Sequence, residues 1–389
     1  MRILLFTGKG GVGKTTLAAA TAAALAGRGR KTLVVSTDPA HSLGDAFGLL
    51  LTAEPSEVDI CLHAVQVDSR SLVDDVWQDL RSQLRSALSG AGIESLDAEE
   101  LTVLPGVDEV LALTEVQRLA ESGPWDTVVV DCGPTAETLR LLALPEAISG
   151  YLTKLFGKQA KLGLGSRRWN NVGESVRRLG THLESLRTLL TDPSITTVRL
   201  VLTPERVVVA EARRTLSALA LRGIRVDGLI ANRLMPAPGF WRGSAASWLR
   251  TRRNQQNEVL TELAAAGLGA DVVRPVEHRA VEPVGLPALL EIAGELYNGT
   301  DPLTGYGKGV TPLLQVSEVD GGYRLRIALP LGRDTPLDLA RVDDDLAITV
   351  DGFRRLIALP ALLRPCEILH AESDAEGLLV SLARTGGKR

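Results

Sequence analysis

The sequence predicts an α/β fold, a doubly wound and mainly parallel sheet, followed by a small all-β sandwich. Three observations predict it. Short β-branched or Leu-rich runs alternate with longer helical stretches through the first three hundred residues. A glycine-rich stretch ending in Lys-Thr directly follows the first of these runs. Beyond residue 312 the helical stretches stop, and seven short strand-like segments follow, broken by Asp-Gly turns.

Strands are expected at 2–7, 32–36, 63–67, 127–130, 197–202 and 226–231. Helices are expected at 15–27, where Gly27 suits a helix C-terminus, and at 205–220. Six strands with crossover helices make one domain over 1–297. Residues 298–312 (NGTDPLTGYGKGVTP) hold four Gly and two Pro and read as a linker. The segments 313–319, 323–329, 337–342, 346–350, 353–359, 367–372 and 378–383 then suggest an antiparallel sandwich over 313–385.

Composition narrows the function. The 389 residues are 45% hydrophobic, enough to bury a core in two or three domains. Forty-three basic against 47 acidic residues give a net charge of −4, which argues against a protein that coats nucleic acid. No apolar run approaches the roughly 20 residues of a membrane span, and MRILLFTGKGG has too short an apolar core for a signal peptide. A cytoplasmic protein is expected. Cys61, Cys132 and Cys366 lie far apart and are odd in number, so neither a disulfide framework nor a structural zinc site is expected.

The strongest signal is Gly8-Lys9-Gly10-Gly11-Val12-Gly13-Lys14-Thr15-Thr16, between an apolar strand and an Ala-rich helix. In a P-loop of this kind, successive backbone N–H groups surround the phosphates of a nucleotide. Lys14 reaches the β/γ oxygens, and the Thr15 hydroxyl serves Mg²⁺. Lys9 is an additional cation early in the loop; from a second subunit it would offset charge that builds up in phosphoryl transfer.

Asp38 opens Asp-Pro-Ala-His-Ser-Leu-Gly-Asp just after the second strand, at the carboxyl edge where ligands bind in this architecture. From there it can face the metal and orient or deprotonate the attacking water. His41 reads as a local hydrogen-bonding residue. Asp131 ends Thr-Val-Val-Val-Asp at a strand tip and can face the metal. Gly133-Pro134-Thr135 make a turn that could sense the γ-phosphate. Cys132 reads as a small apolar filler.

Together GKGGVGKTT, STDPAHSLGDAFG at 36–48, LPGVDEVLAL at 104–113 and VVVDCGPTAETLRLLALP at 128–145 resemble the ArsA-type ATPases. That family includes the arsenite-pump ATPase and the cytosolic targeting factors for tail-anchored membrane proteins, and the likeness covers 1–297. It implies ATP hydrolysis by a homodimer, with Lys9 as the signature lysine, Asp38 as the hydrolytic carboxylate of switch I and Asp131 as the metal-facing residue before switch II. It also implies that Asn232 reads adenine, that Glu205 contacts nucleotide, and that the stretch with Pro275 resembles the loop closing over the base. The sequence departs from the family in lacking the CxxC of the eukaryotic targeting factors and the cysteine cluster of the arsenite pump. Ala136-Glu137 stand where Gly-His is usual in switch II. Residues 313–385 resemble the α-crystallin, or small heat-shock, sandwich.

Apolar residues recur at helical spacing at Ile148, Tyr151, Leu152, Leu155 and Phe156, and again at Val176, Leu179, Leu183, Leu186 and Leu190. The resemblance implies that such helices line a groove for a hydrophobic or membrane-protein client. They equally suit a dimer core. Lys154, Lys158, Lys161, Arg167 and Arg168 lack interleaved aromatics and read as a solvated loop, so no nucleic acid is expected. The functional expectation is a nucleotide-switched ATPase serving a hydrophobic client. The alternatives are an ATPase energising an anion transporter and a nucleotide-stabilised interaction module.

Overall fold

Runs that are apolar on both faces can only be interior strands of a covered sheet. Leu33–Val35 and Val128–Val130 are such runs, and both are fully buried. The computed structural model describes residues 1–38, 42–67, 107–133, 181, 184–237, 239, 242–265, 273–303, 314–329, 337–350, 352–374 and 377–384. The chain divides into two compact units, Met1–Thr197 with Pro283–Pro302, and Val198–Glu282 with Leu303–Arg389.

The first unit holds β1 (Arg2–Thr7), α1 (Lys14–Ala26), β2 (Thr32–Ser36), α2 (Ser42–Phe47), β3 (Ser56–Asp59), β4 (Leu62–Gln66), α3 (Val107–Ser122) and β5 (Thr127–Asp131). Its strand order is β3-β4-β2-β5-β1. All neighbours are parallel except β3, which runs antiparallel to β4. Register aligns the strand ends. Asp131 lies opposite both Phe6 and Ser36, and Ser36 lies opposite Gln66, so four residues form a row at the carboxyl edge.

Helix α1 is mostly Ala and Leu and is buried along almost its whole length. Small side chains let it lie close to the strands and to α6 (Leu286–Tyr297), which closes this unit. The Thr21 and Tyr297 hydroxyls join the two helices at 2.6 Å. Past α1, the Arg28 guanidinium donates to the carbonyls of Gly299 (3.0 Å) and Thr300 (2.8 Å), and Arg30 pairs with Asp301. Residues 299–301 belong to the stretch whose composition predicts a linker. Their anchoring comes from arginines some 271 positions earlier, which composition cannot reveal.

The second unit contains β6 (Thr196–Leu202) from Val198 onward, α4 (Arg206–Leu221), β7 (Val226–Leu234), α5 (Ser244–Ala265) and β8 (Val273–Glu277). Strands β6, β7 and β8 are parallel neighbours in that order. Among the described residues β3 and β8 therefore join the six expected strands. Strand β3 is polar and half exposed, and β8 carries Pro275, so neither offers the apolar run that identifies an inner strand. Pro275 is tolerated because β8 is an edge strand. A buried ion pair, Arg199 Nε to Asp227 Oδ1 at 3.2 Å, crosslinks β6 and β7.

All seven strands expected after residue 312 are present. They are β9 (Leu314–Val319), β10 (Gly322–Ile327), β11 (Leu337–Val342), β12 (Asp345–Val350), β13 (Phe353–Ala358), β14 (Cys366–Asp374) and β15 (Gly377–Arg384). They form the antiparallel sheets β14-β15-β10-β9 and β11-β12-β13. Alternate residues Leu325, Ile327, Leu346, Ile348, Val350, Leu378, Val380 and Leu382 fill the core. Gly377 has φ 129°, and a Cβ there would meet the Ile327 carbonyl oxygen at 2.1 Å, so only glycine fits. The core also takes in Leu221, the last residue of α4.

Among the described residues no helix is long and apolar enough to cross a membrane. His41, Pro134–Glu137, the stripe at 148–156, the basic residues 154–168 and Val176, Leu179 and Leu183 lie outside the described residues. Leu186 and Leu190 are buried.

Candidate nucleotide and metal site

The loop after β1 owes its shape to glycine. Gly11 and Gly13 have φ of 78° and 93°, and Gly13 stands as the left-handed N-cap of α1, with its carbonyl taking the Leu17 N–H at 3.2 Å. A Cβ at Gly10 or Gly11 would meet nothing within 4 Å, so the loop borders open space. Gly8 and Val12 are buried, Lys9 is exposed, and Thr16 is half-buried. Lys14, the first residue of α1, is 5% exposed, and its ammonium donates to the Lys9 carbonyl at 3.4 Å. The loop thus presents glycine backbone and one nearly buried cation at a helix N-terminus, which is chemistry for an anion.

Asp131 is the centre of the charged side. It is fully buried at the tip of β5. Its Oδ2 accepts the Thr15 hydroxyl at 2.7 Å and the Ser36 hydroxyl at 3.3 Å. Thr15 Oγ1 also lies 3.0 Å from Ser42 Oγ at the start of α2. Burial pushes the Asp131 carboxyl up to about 6, and the charge of Asp38 adds to this. The Thr15 hydroxyl, the Lys14 charge and the Ser36 hydroxyl oppose it. Asp131 Oδ1 is buried with no hydrogen-bond partner. That orphaned oxygen beside two hydroxyls is a donor set for a hard cation that keeps several waters, and Mg²⁺ fits it.

Asp38 is half-buried, just beyond β2. Its backbone N–H donates to Ser36 Oγ at 3.3 Å, and its carbonyl accepts Gln66 Nε2 at 2.9 Å. The preceding Thr37 N–H donates to the Asp131 carbonyl at 3.0 Å. Thr15, Ser36, Asp38 and Asp131 are therefore one bonded network. Burial pushes the Cys132 thiol up to about 12, with the Asp131 charge adding and Lys14 opposing, so it stays protonated as a packed small side chain.

Three further predicted positions belong to the second unit. Glu205 is the exposed N-cap of α4, paired with Arg252 at 2.6 Å. Asn232 is half-buried near the end of β7, just before Arg233 at φ 59°. The side chain of Gln256 shapes this tip, since its Oε1 accepts the Met235 N–H at 2.7 Å and its Nε2 donates to the Arg233 carbonyl at 3.2 Å. Pro275 lies within β8 opposite Ala231. Of the stretch that resembles a loop over the base, 274–277 is a strand here, with Arg274, Pro275 and Glu277 in register with β7, and its continuation at 282–285 lies outside strand and helix. Ser36 and Ser42 belong to the motif at 36–48, in which Ser42 suits a segment that shifts with the γ-phosphate, whereas Gln66 and Gln256 belong to no motif. Nothing else in the sequence marks either glutamine.

A glycine loop bearing a buried lysine, a threonine bonded to a strand-tip aspartate and a parallel sheet behind them define a P-loop nucleotide-binding ATPase. The family model for anion-transporting ATPases matches residues 1–298, and the model for the HSP20-like domain found in ArsA matches residues 320–382. The chain belongs to the ArsA-type anion-transporting ATPase family, with the HSP20-like domain at its C-terminal side. It is 38% identical over 399 residues to protein Rv2184c of Mycobacterium tuberculosis, covering 95% of this chain and 93% of that one. It is 33% identical over 381 residues to a Chlorobaculum tepidum protein named as a candidate arsenical pump-driving ATPase, covering 94% and 92%. With the ATPase get3 of Aspergillus niger it shares 30% identity over 289 residues, 70% of this chain and 84% of that one.

Proposed function

We propose that this ATPase works in the cytoplasm as a Mg²⁺-dependent, nucleotide-switched homodimer that couples ATP hydrolysis to binding, targeting or holding a hydrophobic protein client. The observation that carries this reading is the bonded network Thr15–Asp131–Ser36–Asp38, which ties phosphate loop, strand tip and switch I together. A change at the γ-phosphate would reach the start of α2 through the contact of the Thr15 and Ser42 hydroxyls. The functional parts are an ATPase domain over 1–297, a linker over 298–312 and a sandwich over 313–385.

The backbone of Gly8–Thr16 and the Lys14 ammonium bind the phosphates. Thr15 and Asp131 hold Mg²⁺, with Asp38 facing it; the ion, when bound, neutralises charge on the phosphate oxygens. Asp38 aligns the attacking water and accepts its proton. Lys9 is exposed on its own subunit, and reaches the partner's phosphates to offset charge in the transition state. Glu205, Asn232 and Pro275 border the base, where the Asn232 amide can donate to and accept from the adenine edge. The likeness to the ATPase get3 supports the client reading.

The name of the Chlorobaculum relative favours a second reading, an ATPase that energises an anion transporter. ATP turnover and sedimentation with ADP and aluminium fluoride separate the cases. The proposal expects a dimer that forms only with nucleotide, and loss of turnover in both Lys9→Ala and Asp38→Asn. A monomer under all conditions, with wild-type turnover in Lys9→Ala, would sink it. Stimulation of turnover by arsenite or another oxyanion would transfer support to the second reading.

A further inference from the structure

We infer that Gln66 is a positioning residue for hydrolysis, acting through the main chain of Asp38. The inference rests on the proposed role of Asp38 as the carboxylate that aligns water. Gln66 ends β4 opposite Ser36, 4% exposed, and its backbone N–H is already taken by the Thr52 carbonyl at 3.0 Å. Its side-chain amide turns toward switch I, donating to the Asp38 carbonyl at 2.9 Å and to the Ser36 carbonyl at 3.5 Å.

The peptide groups on both sides of Asp38 are thereby held, the N–H by Ser36 Oγ and the carbonyl by Gln66. Residue 39 is proline, which disfavours helical backbone at Asp38. A buried amide two strands away from Asp131 supplies the bond to the Asp38 carbonyl. Gln66 Oε1 is buried without a hydrogen-bond partner, so the amide is committed to its donor side at the cost of an idle acceptor. Such an arrangement places a carbonyl; packing alone would be met by leucine.

The test is steady-state ATP hydrolysis by the full chain with Gln66→Leu, Gln66→Glu and Asp38→Asn, and with Gln66→Leu in the Asp38→Asn background. Misplacing a reacting group costs roughly 10- to 100-fold, so Gln66→Leu is expected to lower kcat by about that factor while ATP KM stays within about threefold. In the Asp38→Asn background it is expected to add less than about twofold, because the residue it positions is already disabled. Gln66→Glu keeps the length and loses the donor once its carboxyl is ionised, so assayed at alkaline pH it is expected to lose turnover likewise, which covers a Leu variant that fails to fold. Turnover within about twofold of wild type in either Gln66 variant, or losses that multiply with Asp38→Asn, would overturn the inference while leaving the role of Asp38 intact. Full turnover in Asp38→Asn itself would instead remove the reading beneath it.

Discussion

Thr21 and Tyr297, 276 positions apart, meet hydroxyl to hydroxyl at 2.6 Å in the buried seam between α1 and α6. Thr21 has one proton and gives it to the Leu17 carbonyl at 2.7 Å, so Tyr297 is the donor between them. Tyr297→Phe removes that donor but leaves Thr21 bonded. It is expected to cost only about 1 kcal/mol in urea unfolding, with nucleotide affinity unchanged.

The pairing of Thr15 with Asp131 has a metal consequence. Asp131→Asn is expected to raise the Mg²⁺ concentration for half-maximal turnover by about 10- to 100-fold. Thr15→Val should act in the same direction, and a magnesium titration of ATP turnover checks both.

The buried Asp131 carboxyl, up near 6 from an ordinary 3.8, gives stability a pH slope. Between those values the folded chain binds more protons than the unfolded chain, so the metal-free protein loses stability as pH rises through the window, by about 2–3 kcal/mol once fully ionised. Urea unfolding at about pH 4.5 and about pH 7 is expected to show that slope in wild type and not in Asp131→Asn. Mg²⁺ favours the ionised carboxylate, so its apparent affinity should fall as the pH drops below about 6.

Arg199 and Asp227 make a different kind of test, since both are buried between β6 and β7. Asp227→Ala is expected to cost roughly 3–5 kcal/mol in chemical denaturation by leaving a buried guanidinium without its partner charge. Pairing it with Arg199→Met should recover much of that loss.

Most of the fold was legible in the sequence because parallel strands covered on both faces must be continuous apolar runs. Val128–Val130 and Leu33–Val35 could be nothing else. The polar β3 and the proline-bearing β8 were not legible, since an edge strand is defined by its neighbour and carries no pattern of its own. The candidate site divides in the same way. Glycines with left-handed backbone and a lysine at a helix start leave a local signature, so the loop from Gly8 to Thr16 could be read directly. Gln66 reaches Asp38, and Gln256 the tip of β7, only through the sheet register and helix placement, and a lone glutamine has no spacing to announce that.

Leu221 ends α4 inside the core of the β-sandwich, so the two parts share apolar surface as well as a connecting segment. Cutting the chain before β9 would uncover that leucine and much of its surroundings to water. A shortened protein would therefore be prone to clump, and its poor behaviour would say nothing about whether the missing strands serve a client. A fair deletion carries a polar replacement at position 221, which separates a lost role from a newly bared surface.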